Sequence, residues 1–271
     1  RYYFDWPEAE PVADEPEAVK HVRKRYAGTL AMADNWLGRF LDQMDVLDLW
    51  KDTTVVFTTD HGHLLGEQGY WAKNYMFDYQ ELVNIPLIVC QPSAQSKRVD
   101  ALTSTLDLMP TIMELHGAEL PPHLHGKSLC SLLNGGNTHH EAILYGYFGK
   151  DINLTDGQYT YFRQAIVDST VHHHTLMPVG FSDFEGREKL ASAELGVFLE
   201  NAHDVTHLRF PVKSRRHRDA VDSNLIYDIQ TDPQQQSLVK DDALEARLAQ
   251  QMRSLLKRFD APPCQYERMG L

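Results

Sequence analysis

The sequence predicts an α/β fold, and three patterns along the chain support this prediction. Apolar residues recur at three- and four-residue steps through residues 18–49, which predicts a long helix with one stripe facing a core. An apolar, β-branched run at residues 53–59 is typical of a buried strand. Short alternating runs after residue 141, followed by an amphipathic segment at residues 244–259, predict a small antiparallel sheet covered by a terminal helix.

Further elements are predicted in turn along the first 140 residues. Residues 84–90 are expected to form a second buried strand, and Pro86 places it at a strand start or a sheet edge. Asp107 is expected to cap a helix that holds Pro110 in its first turn. Residues 128–133 are expected to form a short helix that ends at a Gly pair. The stripe of the long first helix consists of Tyr26, Leu30, Ala33, Leu37, Leu41 and Met44.

From residue 141 the sequence changes to short alternating runs separated by loops, which predicts two domains, residues 1–140 and residues 141–271. Short strands joined by loops indicate that the sheet of the second domain is antiparallel. Its histidine tract, residues 172–174, is expected to be an exposed loop, with a metal-binding tract as the alternative. The basic cluster at residues 213–218 is also expected to be a solvated loop, with recognition of an acidic substrate as the alternative. Strands are predicted at residues 142–147, 157–167 and 224–229.

The composition of the chain argues against several classes of partner. A net charge of -12 argues against nucleic acid, so an anionic substrate has to be drawn by local positive charge. No apolar run approaches the ~20 residues that a membrane-spanning helix needs. The three cysteines are widely spaced and form neither a zinc-binding pattern nor a full disulfide framework.

The first predicted strand ends in residues whose chemistry indicates a metal site. Open α/β sheets bind ligands at the carboxyl ends of their strands, and Asp60 and His61 stand there as oxygen and nitrogen donors. Gly62 allows a sharp turn, and Lys73 adds positive charge nearby. A metal-binding pair beside a cation is what a site for an anionic ester requires. Two ligands do not make a site, however, so an ordinary capped turn stays open on the residues alone.

Residues 53–74, which read TTVVFTTDHGHLLGEQGYWAKN, resemble a motif of the sulfatases, a family of the alkaline-phosphatase-like superfamily. The motif consists of a strand, Asp-His-Gly or Asp-Asn-Gly, Leu-Gly, and then a Gly-aromatic-x-x-Lys run. His63 and Gln68 depart from the residues that the family often shows there, and they are given no role. Four later segments resemble the family in the same order, namely residues 83–89, 105–112, 125–129 and 225–233.

The resemblance implies an alkaline-phosphatase-like sandwich, represented by its C-terminal portion, followed by a small antiparallel subdomain with a helix. It implies sulfate ester hydrolysis, with Asp60 and His61 as ligands of one divalent ion. Ca²⁺ is the ion most sulfatases use, and Mn²⁺ or another transition ion is the alternative because His is an uncommon Ca²⁺ ligand. Lys73 matches the family lysine that binds the sulfate and assists catalysis at the leaving-group oxygen. His125, on a loop, is a further candidate for substrate binding.

The nucleophile that the resemblance implies is a formylglycine, made from Cys or Ser in a C/S-x-P-x-R motif. Cys90 begins a C-x-P-S run, but Ala94 stands where the motif needs Arg, so Cys90 is expected to be a packed small side chain. The formylglycine is therefore expected outside this chain, in an N-terminal half that completes the site. The expected substrate is an anionic ester, such as the sulfate ester of a sugar.

Two alternatives to a sulfatase remain open. His61 also matches relatives that hydrolyse phosphonate monoesters and phosphodiesters, so such a hydrolase on the same scaffold is the first alternative. A catalytically inactive relative, or a piece with only a binding or structural role, is the second. The identity of the substrate does not follow from the sequence, because specificity lies in loops that vary on a shared fold.

Overall fold

The chain forms two compact units, Arg1–Arg98 and Val99–Leu271. The domain boundary near residue 140 stays a prediction. Among the described helices, none combines the length and the apolar character that are needed to cross a membrane. The structure is a computed structural model that describes residues 16–73, 76–92, 94–179, 184–217 and 221–271.

Helix α1 (Pro16–Val46) opens the described part of the first unit and confirms the predicted long helix. Its inward stripe was predicted wrongly, because Leu30 is 61% exposed and only Met44 among the six stripe residues is buried. The described contacts of the helix with residues 63–65 are made by Arg23 and Tyr26, which come before Leu30 in the sequence. The other helices and strands of the unit are β1 (Val55–Thr58), β2 (Leu64–Leu65), β3 (Trp71–Ala72), α2 (Gln80–Val83) and β4 (Leu87–Cys90), with 3₁₀ turns at Leu49–Lys51 and Glu67–Gly69.

Strands β1 and β4 pair with each other in a two-stranded antiparallel sheet. Both were predicted to be buried, which is wrong: Phe57 is 41% exposed and Ile88, opposite it in the register, is 54% exposed. A sheet of two strands leaves these side chains uncovered within the unit. Cys90 is exposed at the end of β4, so the expectation of a packed side chain is also wrong. Pro86 comes directly before β4, which confirms its place at a strand start.

The second unit is built from short helices and strands. Its described helices and strands are α3 (Leu108–Leu115), α4 (Cys130–Leu133), β5 (Ile143–Tyr145), β6 (Ile152–Thr155), β7 (Tyr159–Arg163), β8 (Thr170–Thr175), α5 (Arg187–Ala191), β9 (Glu194–Gly196), β10 (His207–Lys213), β11 (Leu225–Asp228), α6 (Asp242–Arg258) and α7 (Pro263–Met269).

Four of these strands form an antiparallel sheet in the order β11-β7-β6-β5, and helix α6 covers it. Leu248 and Met252 of the helix are fully buried in one apolar cluster with Leu154 and Tyr161 of the sheet. The sheet and its covering helix are thereby confirmed. Strand β6 was not predicted, although its sequence Ile-Asn-Leu-Thr alternates apolar and polar residues over four positions.

Strands β8, β10 and β9 form a second antiparallel sheet in that order. The histidine tract lies in β8, opposite residues 209–211 of β10, so the prediction of an exposed loop is wrong. Histidine has no strong preference for strands, and here the pairing with β10 decides the conformation.

The basic cluster is only partly the solvated loop that was predicted. Lys213 ends strand β10, while Ser214 and His217 are buried. His217 Nε2 contacts the carboxylate of Asp151, which is buried as well. This contact between two buried side chains therefore holds the segment in place. Arg218, the last residue of the cluster, lies outside the described residues.

Helix α3 is capped differently from the prediction. Ser104 stands at the N-cap of a 3₁₀ turn, Thr105–Asp107, that leads into the helix, and its side chain accepts a hydrogen bond from the Leu106 N–H. The Asp107 carboxylate accepts the Ser104 N–H at 2.7 Å. Asp107 therefore provides the reciprocal half of a capping box, not the cap itself.

Candidate functional site

The turn that follows β1 is held by hydrogen bonds within itself and to helix α2. The His61 N–H donates to Asp60 Oδ1 at 3.0 Å, and the Gly62 N–H donates to the Leu82 carbonyl at 2.8 Å. A Cβ atom at Gly62 would lie 1.8 Å from the carbonyl oxygen of Glu81. The close approach of the α2 backbone therefore requires glycine at this position.

Asp60 and His61 lie side by side at the surface of the first unit. Asp60 Oδ2 is 3.3 Å from His61 Nε2, and the two side chains are 82% and 35% exposed. His61 Nδ1 is 2.8 Å from the Gly62 carbonyl oxygen, which can only accept, so the ring proton is on Nδ1. In the neutral form of the ring, the lone pair is then on Nε2, next to the carboxylate. This is the tautomer that an Nε2 metal ligand requires.

The surroundings of Asp60 lower the pKa of its carboxyl group. Desolvation raises the pKa of the Asp60 carboxyl, but the interaction with His61 and the hydrogen bonds from nearby backbone N–H groups and the Thr59 hydroxyl outweigh it. The net result is a pKa below the usual range of an aspartate. An anionic oxygen is therefore available at neutral pH.

The hairpin formed by β2 and β3 brings Lys73 to the same place. Leu64 is opposite Ala72 in the register, so the residue that follows β3 lies beside the residues that precede β2. Lys73 Nζ contacts His61 Nε2. Leu64 and Trp71 anchor the two strands, since both side chains are almost completely buried.

Helix α1 is tied to this hairpin through Arg23. Arg23 Nε donates to the Leu65 carbonyl at 2.7 Å, and its guanidinium lies 3.2 Å from Glu67 Oε1. The other carboxylate oxygen of Glu67 accepts the Leu65 N–H. These contacts fix the turn of the hairpin, and with it the backbone that leads to Lys73.

Three of the four predicted site residues, Asp60, His61 and Lys73, are brought together by the structure. His125 belongs to the second unit, where its Nε2 accepts a hydrogen bond from Asn201 Nδ2 at 2.9 Å. The assignments as metal ligands, catalytic lysine and substrate-binding residue stay predictions.

Two further residues beside the turn have environments that could not be predicted from the sequence. The His63 ring lies 5.7 Å from the ring of Tyr26, and burial lowers the pKa of the His63 imidazole. Glu81 Oε2 is buried without a hydrogen-bond partner among the described residues, and burial raises the pKa of the Glu81 carboxyl. Both environments arise from packing between separate elements, which no local motif encodes.

Comparison with known proteins finds a family model that matches the part of the chain holding Asp60, His61 and Lys73. Residues 2–118 match a family model described as Sulfatase. Arylsulfatase K of Mus musculus is 30% identical over 161 residues, which make up 54% of this chain and 29% of the relative. An N-acetylglucosamine-6-O-sulfatase of Bacteroides thetaiotaomicron is 32% identical over 129 residues, or 45% of this chain and 23% of the relative.

A third relative carries a broader description. PehA of Trinickia caryophylli, a multifunctional alkaline phosphatase superfamily protein, is 33% identical over 133 residues, or 45% of this chain and 24% of the relative. The chain thus spans less than a third of the length of these three relatives.

Solved structures confirm the fold. A protein in complex with its substrate D-glucosamine-2-N,6-O-disulfate superposes with a TM-score of 0.60 at 17% identity, over 91% of this chain and 43% of that one. A protein from work on glycosaminoglycan metabolism by Bacteroides thetaiotaomicron gives a TM-score of 0.57 at 19% identity, over 89% of this chain and 45% of that one. At such identities the likeness concerns the fold alone, and the predicted alkaline-phosphatase-like α/β fold is confirmed.

Proposed function

We propose that this chain, whose residues 2–118 match the Sulfatase family model, acts in the metal-dependent hydrolysis of sulfate esters. The observation that carries the proposal is the convergence of Asp60, His61 and Lys73 at one exposed point of that family segment. A carboxylate, an imidazole lone pair and an ammonium group in contact form a suitable surface for an ion and for an anionic ester beside it.

Asp60 and His61 would hold the divalent ion. Their ligand atoms are 3.3 Å apart, a separation that two ligands of one ion can have, and the His61 tautomer leaves Nε2 free to donate. The donor set therefore fits an ion, although two ligands do not complete a coordination shell. When bound, the ion would polarise the sulfuryl oxygens and stabilise negative charge.

The choice of ion follows from these two donors. Ca²⁺ is the ion that the resemblance implies, but Ca²⁺ prefers oxygen ligands throughout its shell. The nitrogen of His61 suits Mn²⁺ or another transition ion better. Elemental analysis of the purified protein, grown with both metals supplied, decides between them.

Lys73 would bind the sulfate group and the departing oxygen. In the structure Lys73 Nζ contacts His61 Nε2, and a neutral imidazole nitrogen has one lone pair. That lone pair cannot serve a metal ion and an ammonium group together, so metal binding frees the ammonium of Lys73. Its N–H groups can then donate to an anionic oxygen next to the ion, where negative charge develops during ester cleavage.

The 271 residues contain no motif from which a formylglycine could be made. The sequence contains no C/S-x-P-x-R motif, and Cys90 lies exposed at a strand end with Ala94 in place of the required Arg. The formylglycine that the resemblance implies would therefore be supplied by other residues than these. The residues described above bind and orient the ester and stabilise its charge.

A sulfated sugar is the substrate class that we propose. The support is the sequence likeness to an N-acetylglucosamine-6-O-sulfatase, together with the local positive charge that Lys73 places in a chain of net charge -12. His125 stays a proposed substrate contact, on the basis of its match to a family segment.

A phosphonate monoester or phosphodiester is the second candidate substrate. It is favoured by the nitrogen donor of His61, which suits a transition ion, and by the sequence likeness to the multifunctional alkaline phosphatase superfamily protein. Both candidates use the same three residues, so only kinetics separates them.

A substrate panel tests the proposal on the intact, metal-loaded protein. Aryl sulfate, glucosamine 6-sulfate, aryl phosphonate and diaryl phosphate are compared by kcat/KM, and release of inorganic sulfate is followed separately. The sulfate esters are expected to be turned over fastest. Turnover of the phosphorus esters alone would replace the first candidate with the second, and turnover of neither class would support an inactive relative.

A further inference from the structure

A second group of metal-ligating side chains lies buried at the start of helix α3. The Asp107 side chain has no solvent exposure, and its oxygens accept the Ser104 N–H at 2.7 Å and the Lys127 N–H at 2.8 Å. His140 Nε2 lies 3.0 Å from both oxygens of this carboxylate. Hydrogen bonding therefore accounts for the position of His140.

Hydrogen bonding does not account for His139, the neighbouring residue. Its side chain is completely buried, and Nε2 comes within 3.2 Å of Asp107 Oδ2 without the alignment that a hydrogen bond needs. Neither ring nitrogen of His139 has a hydrogen-bond partner among the described residues. A buried imidazole with two nitrogens that lack hydrogen bonds, one of them 3.2 Å from a carboxylate oxygen, is costly unless something else occupies its lone pair.

We propose that Asp107, His139 and His140 bind a divalent transition ion, with Zn²⁺ as the best match. The three ligand atoms all lie within 4.8 Å of one another. Two imidazole nitrogens and one carboxylate oxygen are a donor set that suits Zn²⁺, whereas Ca²⁺ takes six to eight oxygen ligands. This site shares no residue with the Asp60 and His61 pair and does not depend on the proposed function.

Hydrogen bonds hold the backbone around this second site in place without an ion. The His140 N–H donates to the Leu102 carbonyl at 3.3 Å, and Lys127 Nζ donates to the His139 carbonyl at 3.2 Å. The rings of His139 and His140 are 4.4 Å apart at 67°. An ion would therefore join the start of α3 to the segment that leads into β5, two parts of the chain that are distant in sequence.

The ion would have a structural role and not a catalytic one. The side chains of Asp107 and His139 have no exposure and that of His140 has 7%, so an ester substrate has no access to the ion. Binding would replace the hydrogen bond between His140 and Asp107, and the proton on His140 Nε2 would leave or move to Nδ1. These three residues supply three ligands, and the fourth position would be open to no more than a water molecule because the side chains are buried. Metal binding by folded residues stabilises the fold that holds them.

The test begins with a variant in which the proposed Asp60 and His61 metal site is removed. The purified intact protein carrying Asp60→Ala and His61→Ala is stripped with a chelator and titrated with Zn²⁺, and then with Co²⁺ as a spectroscopic probe. One equivalent of Zn²⁺ is expected to bind, Co²⁺ is expected to give the visible absorption of nitrogen and oxygen coordination, and Tm is expected to rise with Zn²⁺ concentration. Adding His139→Gln should weaken Zn²⁺ binding by about 100-fold or more.

His116→Gln is the matched control, since His116 is exposed just after α3 and belongs to no ligand group. It should leave Zn²⁺ affinity unchanged. Absence of tight Zn²⁺ binding in the Asp60→Ala/His61→Ala protein would overturn the proposal, whether or not the His139 variant folds. Equal Zn²⁺ affinity and an equal Co²⁺ spectrum with and without His139→Gln would overturn it as well.

Discussion

The carbonyl oxygen of Glu81 lies 1.8 Å from the position that a Cβ atom would take at Gly62. This oxygen belongs to the backbone of the short helix α2, so it cannot move aside as the end of a flexible side chain could. The Gly62 N–H also donates to the next carbonyl along that helix, at Leu82. The turn that carries Asp60 and His61 is therefore held against α2 by a contact that only glycine permits.

Gly62→Ala should destabilise the protein by about 1–3 kcal/mol, because a new Cβ has to displace backbone. The same shift should weaken binding of the divalent ion, since the turn sets the separation of Asp60 and His61. Thermal unfolding and metal titration measure the two effects. Gly28→Ala is the control: a Cβ there meets nothing within 4 Å on helix α1, so stability should stay equal or rise. An unchanged Tm for Gly62→Ala would contradict the close approach.

Lys73→Ala should slow ester cleavage by roughly 10²–10³, because one charge-assisted contact to the transition state contributes about 2–4 kcal/mol. The loss should be smallest for esters with good leaving groups, which need little help at the departing oxygen. Tm should change little, since the contact with His61 is only partly buried. Kinetics with aryl esters of graded leaving-group pKa, beside a melting curve, measure these effects.

Lys51→Ala is the control for Lys73→Ala, because Lys51 is an exposed lysine that pairs only with Asp48 among the described residues. It should leave the rates for all esters unchanged. Near-normal rates for every ester in Lys73→Ala, or rates that fall only with the folded fraction, would make Lys73 a structural residue.

The second sheet should make stability depend on pH. Burial lowers the pKa of His174 to about 4, with the charges of neighbouring groups acting in the same direction. Between pH 6.5 and about 4 the unfolded chain binds a proton at this residue and the folded chain does not, so the free energy of unfolding falls as pH decreases. The loss should reach about 1–2 kcal/mol after allowance for solvent screening. The charged or titratable groups around it are His172, His173, His207 and Arg209.

Urea unfolding at several pH values measures this dependence, with His174→Gln compared against His116→Gln. His174→Gln should flatten the fall in stability below pH 6.5, whereas His116→Gln should leave it in place. Parallel curves for the wild type and both variants would show that His174 is not the titrating group. His174 Nδ1 and His207 Nε2 are 3.0 Å apart, so the absolute stability of His174→Gln should also drop.

The proximity of Asp60, His61 and Lys73 was predictable because local structure brings these residues together. A strand end, a glycine turn and a short hairpin bring together residues from one continuous motif, and each of these features has a sequence signal. The covering helix α6 was predictable for a similar reason, since its apolar spacing extends over four turns.

Other features were not predictable, because they depend on contacts between distant segments. The group of Asp107, His139 and His140 joins residues more than thirty positions apart, and no sequence motif near Asp107 indicates that the two histidines contact it. The histidine tract became a strand through its register with β10. The apolar stripe of α1 is a further example. Its spacing correctly predicts a helix, but it does not predict whether another element covers the stripe, and Leu30 is exposed.

The most direct test of the proposed function is metal content and sulfate release measured together on the intact protein and its Asp60→Ala variant. Asp60→Ala should lose one equivalent of divalent ion and nearly all turnover of a sulfate ester. Asp42→Ala, an exposed aspartate of helix α1, should keep both. Undiminished metal stoichiometry and affinity in Asp60→Ala, with normal sulfate release, would contradict the assignment of this site.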